Sequence, residues 1–279
     1  MKKIGFIDYY LDEWHANNYP EFFKSRTNGE YEVCYAYGKI DNPHGGMTNK
    51  EWAEKYNVTL VDTIEEVIEK SHCLIVLSPD NPEMHEELAD LPLKSGKLTY
   101  IDKTFAPDRA TAERIFAHAD KYGTKCFSSS ALRYPIEIQD IDTSKICKMY
   151  SEGSGNFDIY SIHQIEAIVK LMKCRAKQVM FLGDEKHPEM IIQFEDGRSA
   201  HMFHRIFSEY AFKFTTIDET NRAEEYIIKS KYFDMFVDAV IEFFETGVVP
   251  VPHEQTIDVI AIREAGIKAM KTPFTWVEV

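Results

Sequence analysis

The chain has 279 residues, with 32 Lys plus Arg against 46 Asp plus Glu, and so a formal net charge of −14. That balance excludes a general nucleic-acid binder, which needs clustered Lys and Arg for phosphate, and an anionic membrane surface as partner. With 44% hydrophobic residues over this length, a globular protein of one or two domains is expected, and no apolar run reaches the ~18 residues of a membrane span.

The elements follow from periodicity and turn chemistry. Residues 3–9 (KIGFIDY) read as a strand, 14–24 as an aromatic helix interrupted by Pro20, and 31–37 (YEVCYAY) as a second strand. Residues 40–49 (IDNPHGGMTN) are loop by composition, 50–56 a short helix and 58–61 a strand. A capped helix follows at 63–70, then a buried strand at 73–77, a helix at 81–89 and a strand at 98–101. Residues 107–122 form an amphipathic helix ending at Gly123. This alternation predicts βαβ units and a parallel sheet. In the second half, 178–182, 190–194, 199–206 and 211–217 read as strands. Long helices are expected at 157–172 and 230–246, with a shorter one at 255–271. The expected organisation is a Rossmann-like α/β domain at 1–127 and an α+β domain with a mostly antiparallel sheet at 128–279.

Lys2 and Lys3 imitate the start of a signal peptide, but Asp8, Asp12 and Glu13 interrupt the apolar stretch too early for one. Cys34, Cys73, Cys126, Cys147 and Cys174 are odd in number, scattered and without a CxxC, which predicts buried free thiols in a reducing cytoplasm. His201 and His204, three apart on a strand, point to opposite faces, so no metal site is expected there.

A doubly wound sheet takes its ligand at the carboxyl ends of its strands. The residues to watch are therefore Asp8 to Asp12, Tyr37, Ser78 to His85 and Asp102 to Thr104. Ser78-Pro79-Asp80-Asn81, then His85, then residues 97–109 (KLTYIDKTFAPDR), residues 153–166 (GSGNFDIYSIHQIE) and the closing 247–271 segment occur in that order. In this order of features the chain resembles the Gfo/Idh/MocA superfamily (glucose–fructose oxidoreductase, inositol dehydrogenase and rhizopine catabolism) over nearly its whole length. The resemblance implies an oxidoreductase using NAD or NADP on a small hydroxylated substrate, a sugar or polyol. It also implies a homo-oligomer formed through the C-terminal sheet, and a last strand and helix within residues 247–271. The motif Asp102-Lys103-Thr104 stands at the family's Glu-Lys-Pro, so Lys103 and His163 would inherit the binding and deprotonation of the alcohol. Cofactor contacts would come from Asp8, Tyr9, Tyr10, Tyr37, Ser78, Asn81, His85 and Asp102. His15 and His85 match structural positions of the family.

Three features depart from that pattern. The first βα turn reads Asp8-Tyr9-Tyr10-Leu11-Asp12-Glu13, with no fingerprint glycine and with negative charge where a diphosphate belongs. An acidic start also suits the dipole of the following helix, which explains Asp12 and Glu13 without any ligand. The second strand ends in Tyr37-Gly38 rather than in an acid for the ribose. Asp158 is five residues before His163, so the two are ~140° apart on a helix, and Glu166 is the better placed to orient that His. Arg133 stands where it would reach an acidic ligand or make a salt bridge, and Ser128-Ser129-Ser130 is loop. The alternative to the enzyme is a ligand-binding or regulatory protein of the same descent that holds no dinucleotide.

Overall fold

Strand β1 (Lys2–Asp8) is apolar because it has a strand on each side and helices over it. Ile4, Phe6 and Ile7 are fully buried. The structure, a computed structural model, describes residues 1–205 and 211–279. It divides into two units, Met1–Ser129 with Phe236–His253, and Ser130–Met235 with Glu254–Val279.

In the first unit, α1 (Trp14–Arg26) leads to β2 (Tyr31–Gly38), α2 (Asn49–Tyr56) to β3 (Thr59–Leu60), and α3 (Ile64–Lys70) to β4 (Cys73–Val76). Then α4 (His85–Lys94) precedes β5 (Thr99–Ile101) and α5 (Arg109–Tyr122) precedes β6 (Cys126–Phe127). The sheet order is β3-β2-β1-β4-β5-β6 and its pairings are parallel. The order reverses between β1 and β4, which makes their carboxyl ends the ligand crevice of a doubly wound sheet. Gly5 serves packing: a Cβ there would come within 2.4 Å of Ser71 Oγ and Val67 Cγ1, so α3 lies directly on β1. The helix expected at 81–89 is instead a 3-10 turn at Pro82–Met84 followed by α4, since Pro82 supplies no amide to an earlier turn.

The second unit holds β7 (Lys148–Ser154), α6 (Phe157–Met172), β8 (Ala176–Gly183), β9 (Pro188–Phe194), β10 (Ser199–Arg205), β11 (Lys213–Ile217) and β12 (Ala223–Ile227). After α7 (Tyr232–Thr246) come α8 (His253–Ala269) and β13 (Trp276–Glu278). The sheet order is β12-β11-β7-β10-β9-β8-β13, antiparallel except for the parallel pair β7–β10. Phe157 of α6 meets Phe181 of β8 at 5.5 Å between ring centres, and a Cβ on Gly266 of α8 would lie 2.8 Å from Met190 Sδ of β9. One face of the sheet is thereby covered by these two helices.

Several expectations need correction. Strands β7, β12 and β13 lie where none was expected, and α8, expected at 255–271, has the same length but starts two residues earlier. No strand precedes α8 within residues 247–252. Ile206, the last residue of an expected strand, lies outside the described residues. From Phe236 onward α7 belongs to the first unit: Phe236 packs on Tyr19 and Tyr100, Phe243 on Phe127 and Phe244 on Tyr31. All five cysteines are free, but only Cys73 and Cys126 are buried and Cys147 is exposed. No helix among the described residues is long and apolar enough to cross a membrane.

Candidate functional site

Asp8 closes β1 and is 1% exposed. Its Oδ1 accepts the Tyr9 amide at 2.7 Å, and its Oδ2 has no hydrogen-bond partner among the described residues. Burial, reinforced by the charge of Glu13, pushes its carboxyl well above the ordinary range. Tyr10 is buried as well, edge-on to Tyr9 and to His44 at 6.0 Å each.

The rest of the turn is tied down by the chain itself. Glu13 is the N-cap of α1: its carboxylate accepts the His15 amide at 2.6 Å and also the Ala16 amide. These are donors that the helix itself leaves without partners. Burial raises the Glu13 carboxyl to about 7; His15 opposes that rise and Asp102 adds to it. Asp12 turns the other way. It accepts from Asn17 Nδ2 at 3.0 Å, from the Met47 amide at 2.7 Å and from Asn42 Nδ2 at 3.3 Å. Asn49 Oδ1 accepts the Leu11 amide at 3.0 Å, while its Nδ2 donates to Gly38 O at 3.0 Å and Ile40 O at 2.7 Å. The loop after β2 is thus fastened onto the β1–α1 turn. Gly46 permits the contact, because a Cβ there would stand 2.1 Å from Asp12 Oδ2.

At the end of β5, Asp102 is fully buried. Its Oδ1 accepts from Tyr100 at 3.0 Å and Tyr19 at 3.4 Å, and its Oδ2 lies 2.8 Å from His15 Nδ1. Burial opposes its charge, but His15, Lys103 and His85 outweigh burial and hold the carboxyl below its ordinary range. Lys103 follows, 8% exposed, and its peptide bond to Thr104 is cis. His85 is fully buried beneath this segment with Nδ1 3.0 Å from Phe105 O, and burial lowers its pKa. After β4, Ser78 has φ 107°, rare for any residue but glycine, and its Oγ donates to Asn81 O at 3.0 Å. Of the residues expected at a cofactor, Tyr9, Tyr37 and Asn81 keep accessible surface, whereas Asp8, Tyr10, Ser78, His85 and Asp102 are buried.

In the second unit, α6 begins at the Asn156 cap and carries His163 and Glu166. His163 Nδ1 lies 2.7 Å from the Ser130 hydroxyl. Glu166 accepts from Arg133 Nε at 2.5 Å in a buried pair, and Arg133 also donates to Gln255 Oε1 at 2.7 Å. A guanidinium is a strong partner for a buried carboxylate. Lys170 nearby is lowered to about 8 by burial and by Arg133. Asp158 pairs with Arg263 at 3.0 Å. His201 and His204 sit on opposite faces of β10, the former half-buried and the latter buried, with its pKa lowered to about 4 by burial.

No family model and no curated protein matches the sequence. Solved structures do match the fold. The myo-inositol dehydrogenase of Lactobacillus casei, in complex with NAD(H) and myo-inositol, superposes with a TM-score of 0.82 at 14% identity, covering 100% of this chain and 96% of that one. GenD2 from gentamicin A biosynthesis, in complex with NAD, gives 0.81 at 11% identity over 100% and 97%. The UDP-N-acetylglucosamine 3-dehydrogenase GnnA of Acidithiobacillus ferrooxidans gives 0.75 at 12% identity over 98% and 97%. The chain has the two-domain fold of these dehydrogenases.

A Rossmann-like unit seats a dinucleotide's diphosphate on the first helix N-terminus, where glycines let the backbone close in. In this chain the Glu13 carboxylate takes the His15 and Ala16 amides of that terminus. With Glu13 in place the residues present do not fit a diphosphate. The fold shared with these dehydrogenases is present, and the glycine-lined first turn of a dinucleotide-binding unit is not. Ser130 beside His163 and Tyr19 on Asp102 were not legible in the sequence, because these contacts join residues far apart in the chain. Glu13 was legible as a helix start, an acid just ahead of a helical run, but not as a group holding two amides.

Proposed function

We propose that the protein is an NAD(P)-dependent oxidoreductase acting on a small hydroxylated molecule, a sugar or polyol. The observation that carries this reading is the Asp102-Lys103 pair at the carboxyl end of β5, in a fold whose solved examples include an inositol dehydrogenase holding NAD(H). Lys103 stabilises negative charge as it develops on the substrate oxygen. Asp102, fixed by His15, Tyr19 and Tyr100, holds the start of that segment. His163 is the proposed base for the hydroxyl proton, with the Ser130 hydroxyl 2.7 Å from Nδ1 orienting the ring. Tyr9, Tyr37 and Asn81 are the proposed cofactor contacts, with the buried Asp8, Tyr10, Ser78, His85 and Asp102 shaping the crevice behind them. A cytoplasmic address and a homo-oligomer formed through the sheet of the second unit belong to the same reading.

A second reading, a ligand-binding protein without dinucleotide, is favoured by one observation, the Glu13 cap. Calorimetric titration with NADH and NADPH, followed by turnover on a panel of polyols, separates the two. Dinucleotide binding at or below ~1 mM, about −4 kcal/mol, supports the enzyme. No binding at that level overturns it. Lys103→Ala is expected to leave cofactor affinity within a factor of about two and to abolish turnover; retained turnover removes Lys103 from the mechanism.

A further inference from the structure

We propose that Glu13 is a built-in occupant of the diphosphate seat, so that a dinucleotide binds this chain only by displacing it. The inference deepens the oxidoreductase reading and rests on it for the identity of the ligand. Three independent observations support it. First, both oxygens of the Glu13 carboxylate are engaged, one on the His15 amide and one on the Ala16 amide, and the residue is 7% exposed. A diphosphate would need those same donors.

Second, the turn is fastened in place. The Leu11 amide is taken by Asn49 Oδ1, Asp12 is held by Asn17, Asn42 and Met47, and no glycine stands between Asp8 and Glu13. Third, Asp8 is buried one strand-end away with one oxygen unpartnered among the described residues, so the strand end beside that helix terminus presents a second carboxyl group. The groups facing Glu13 divide in sign: His15 favours its charge, while Asp8 and Asp102 oppose it. A carboxylate held by two amides is a competitor that a bound diphosphate must displace.

The test is isothermal titration of the full chain with NADH and with NADPH, comparing wild type with Glu13→Ser and Glu13→Gln. Serine is itself a good N-cap and keeps α1 capped with a shorter side chain; glutamine keeps the shape and removes the charge. Each variant is first checked for a cooperative thermal transition. The expected result is at least tenfold tighter binding by Glu13→Ser and a smaller gain by Glu13→Gln. If Glu13→Ser does not fold, a gain in Glu13→Gln decides in favour. Folded variants that bind no tighter than wild type overturn the proposal.

The outcomes also separate this inference from the reading beneath it. Equal binding by wild type and variants removes Glu13 as competitor and leaves the oxidoreductase intact. Binding by the variants alone supports the displaced seat and removes the wild-type chain from NAD(P) chemistry. Binding by neither overturns both.

Discussion

His15 Nδ1 stands 2.8 Å from Asp102 Oδ2, with both side chains buried, so a helix residue of the first turn holds the residue that precedes Lys103. Removing one partner of a buried pair leaves the other uncompensated. His15→Ala is expected to lower the unfolding free energy by about 3 kcal/mol, read as a shifted urea midpoint at pH 7. The folded Asp102 carboxyl lies below its ordinary range, so its stabilisation is full above the unfolded value of about 3.9 and fades as pH falls through the folded one. The gap between wild type and His15→Ala should therefore narrow in acid. A gap that is absent at pH 7 would detach His15 from Asp102.

Glu13 gives the opposite sign. Its folded pKa is about 7, above an unfolded value of about 4.3. Its contribution is fully present below the unfolded value and is lost as pH rises through 7. Glu13→Gln does not titrate. Its melting temperature should gain on wild type between pH 5 and pH 8.5, by scanning calorimetry. A constant difference across that range would show that the carboxyl ionises normally.

Arg133 and Glu166 form the second buried pair, with side chains 7% and 3% exposed. Arg133→Met is expected to cost about 3–5 kcal/mol by leaving the Glu166 carboxylate without its cation. The double variant Arg133→Met, Glu166→Leu should recover most of that loss, because two apolar groups need no partner. Denaturation of the single and double variants gives the coupling directly. Additive losses would mean that the two residues are stabilised separately.

The parallel sheet of the first unit was legible because buried strands such as 73–77 are continuous apolar runs and the helices between them are amphipathic or capped. Strand β12 was not, since all but one of its residues are exposed and no alternation marks it. Strand β13 is three residues long and β7 mixes Ser, Glu and Gly with apolar positions, so both lack a run. The helix α8 was legible to within two residues at each end, although its buried positions do not keep to one narrow stripe. At the site, Asp102 and Lys103 could be placed from their strand end alone. The pairing of His15 with Asp102, of Arg133 with Glu166 and of Ser130 with His163 could not, because one sequence carries no record of which distant side chains meet. Helix spacing put Glu166 near His163 but held no sign of the guanidinium from outside the helix that pairs with it.

The clamp at Asp12 carries a consequence for kinetics. Lifting the loop that holds Met47 breaks the hydrogen bonds to Asp12 from Asn42 and the Met47 amide, or about 2 kcal/mol at roughly 1 kcal/mol each. The lifted form is then on the order of one molecule in thirty. Any guest that needs the loop raised meets only that fraction, so its apparent affinity falls about thirtyfold below its intrinsic value, whatever contacts it makes once inside.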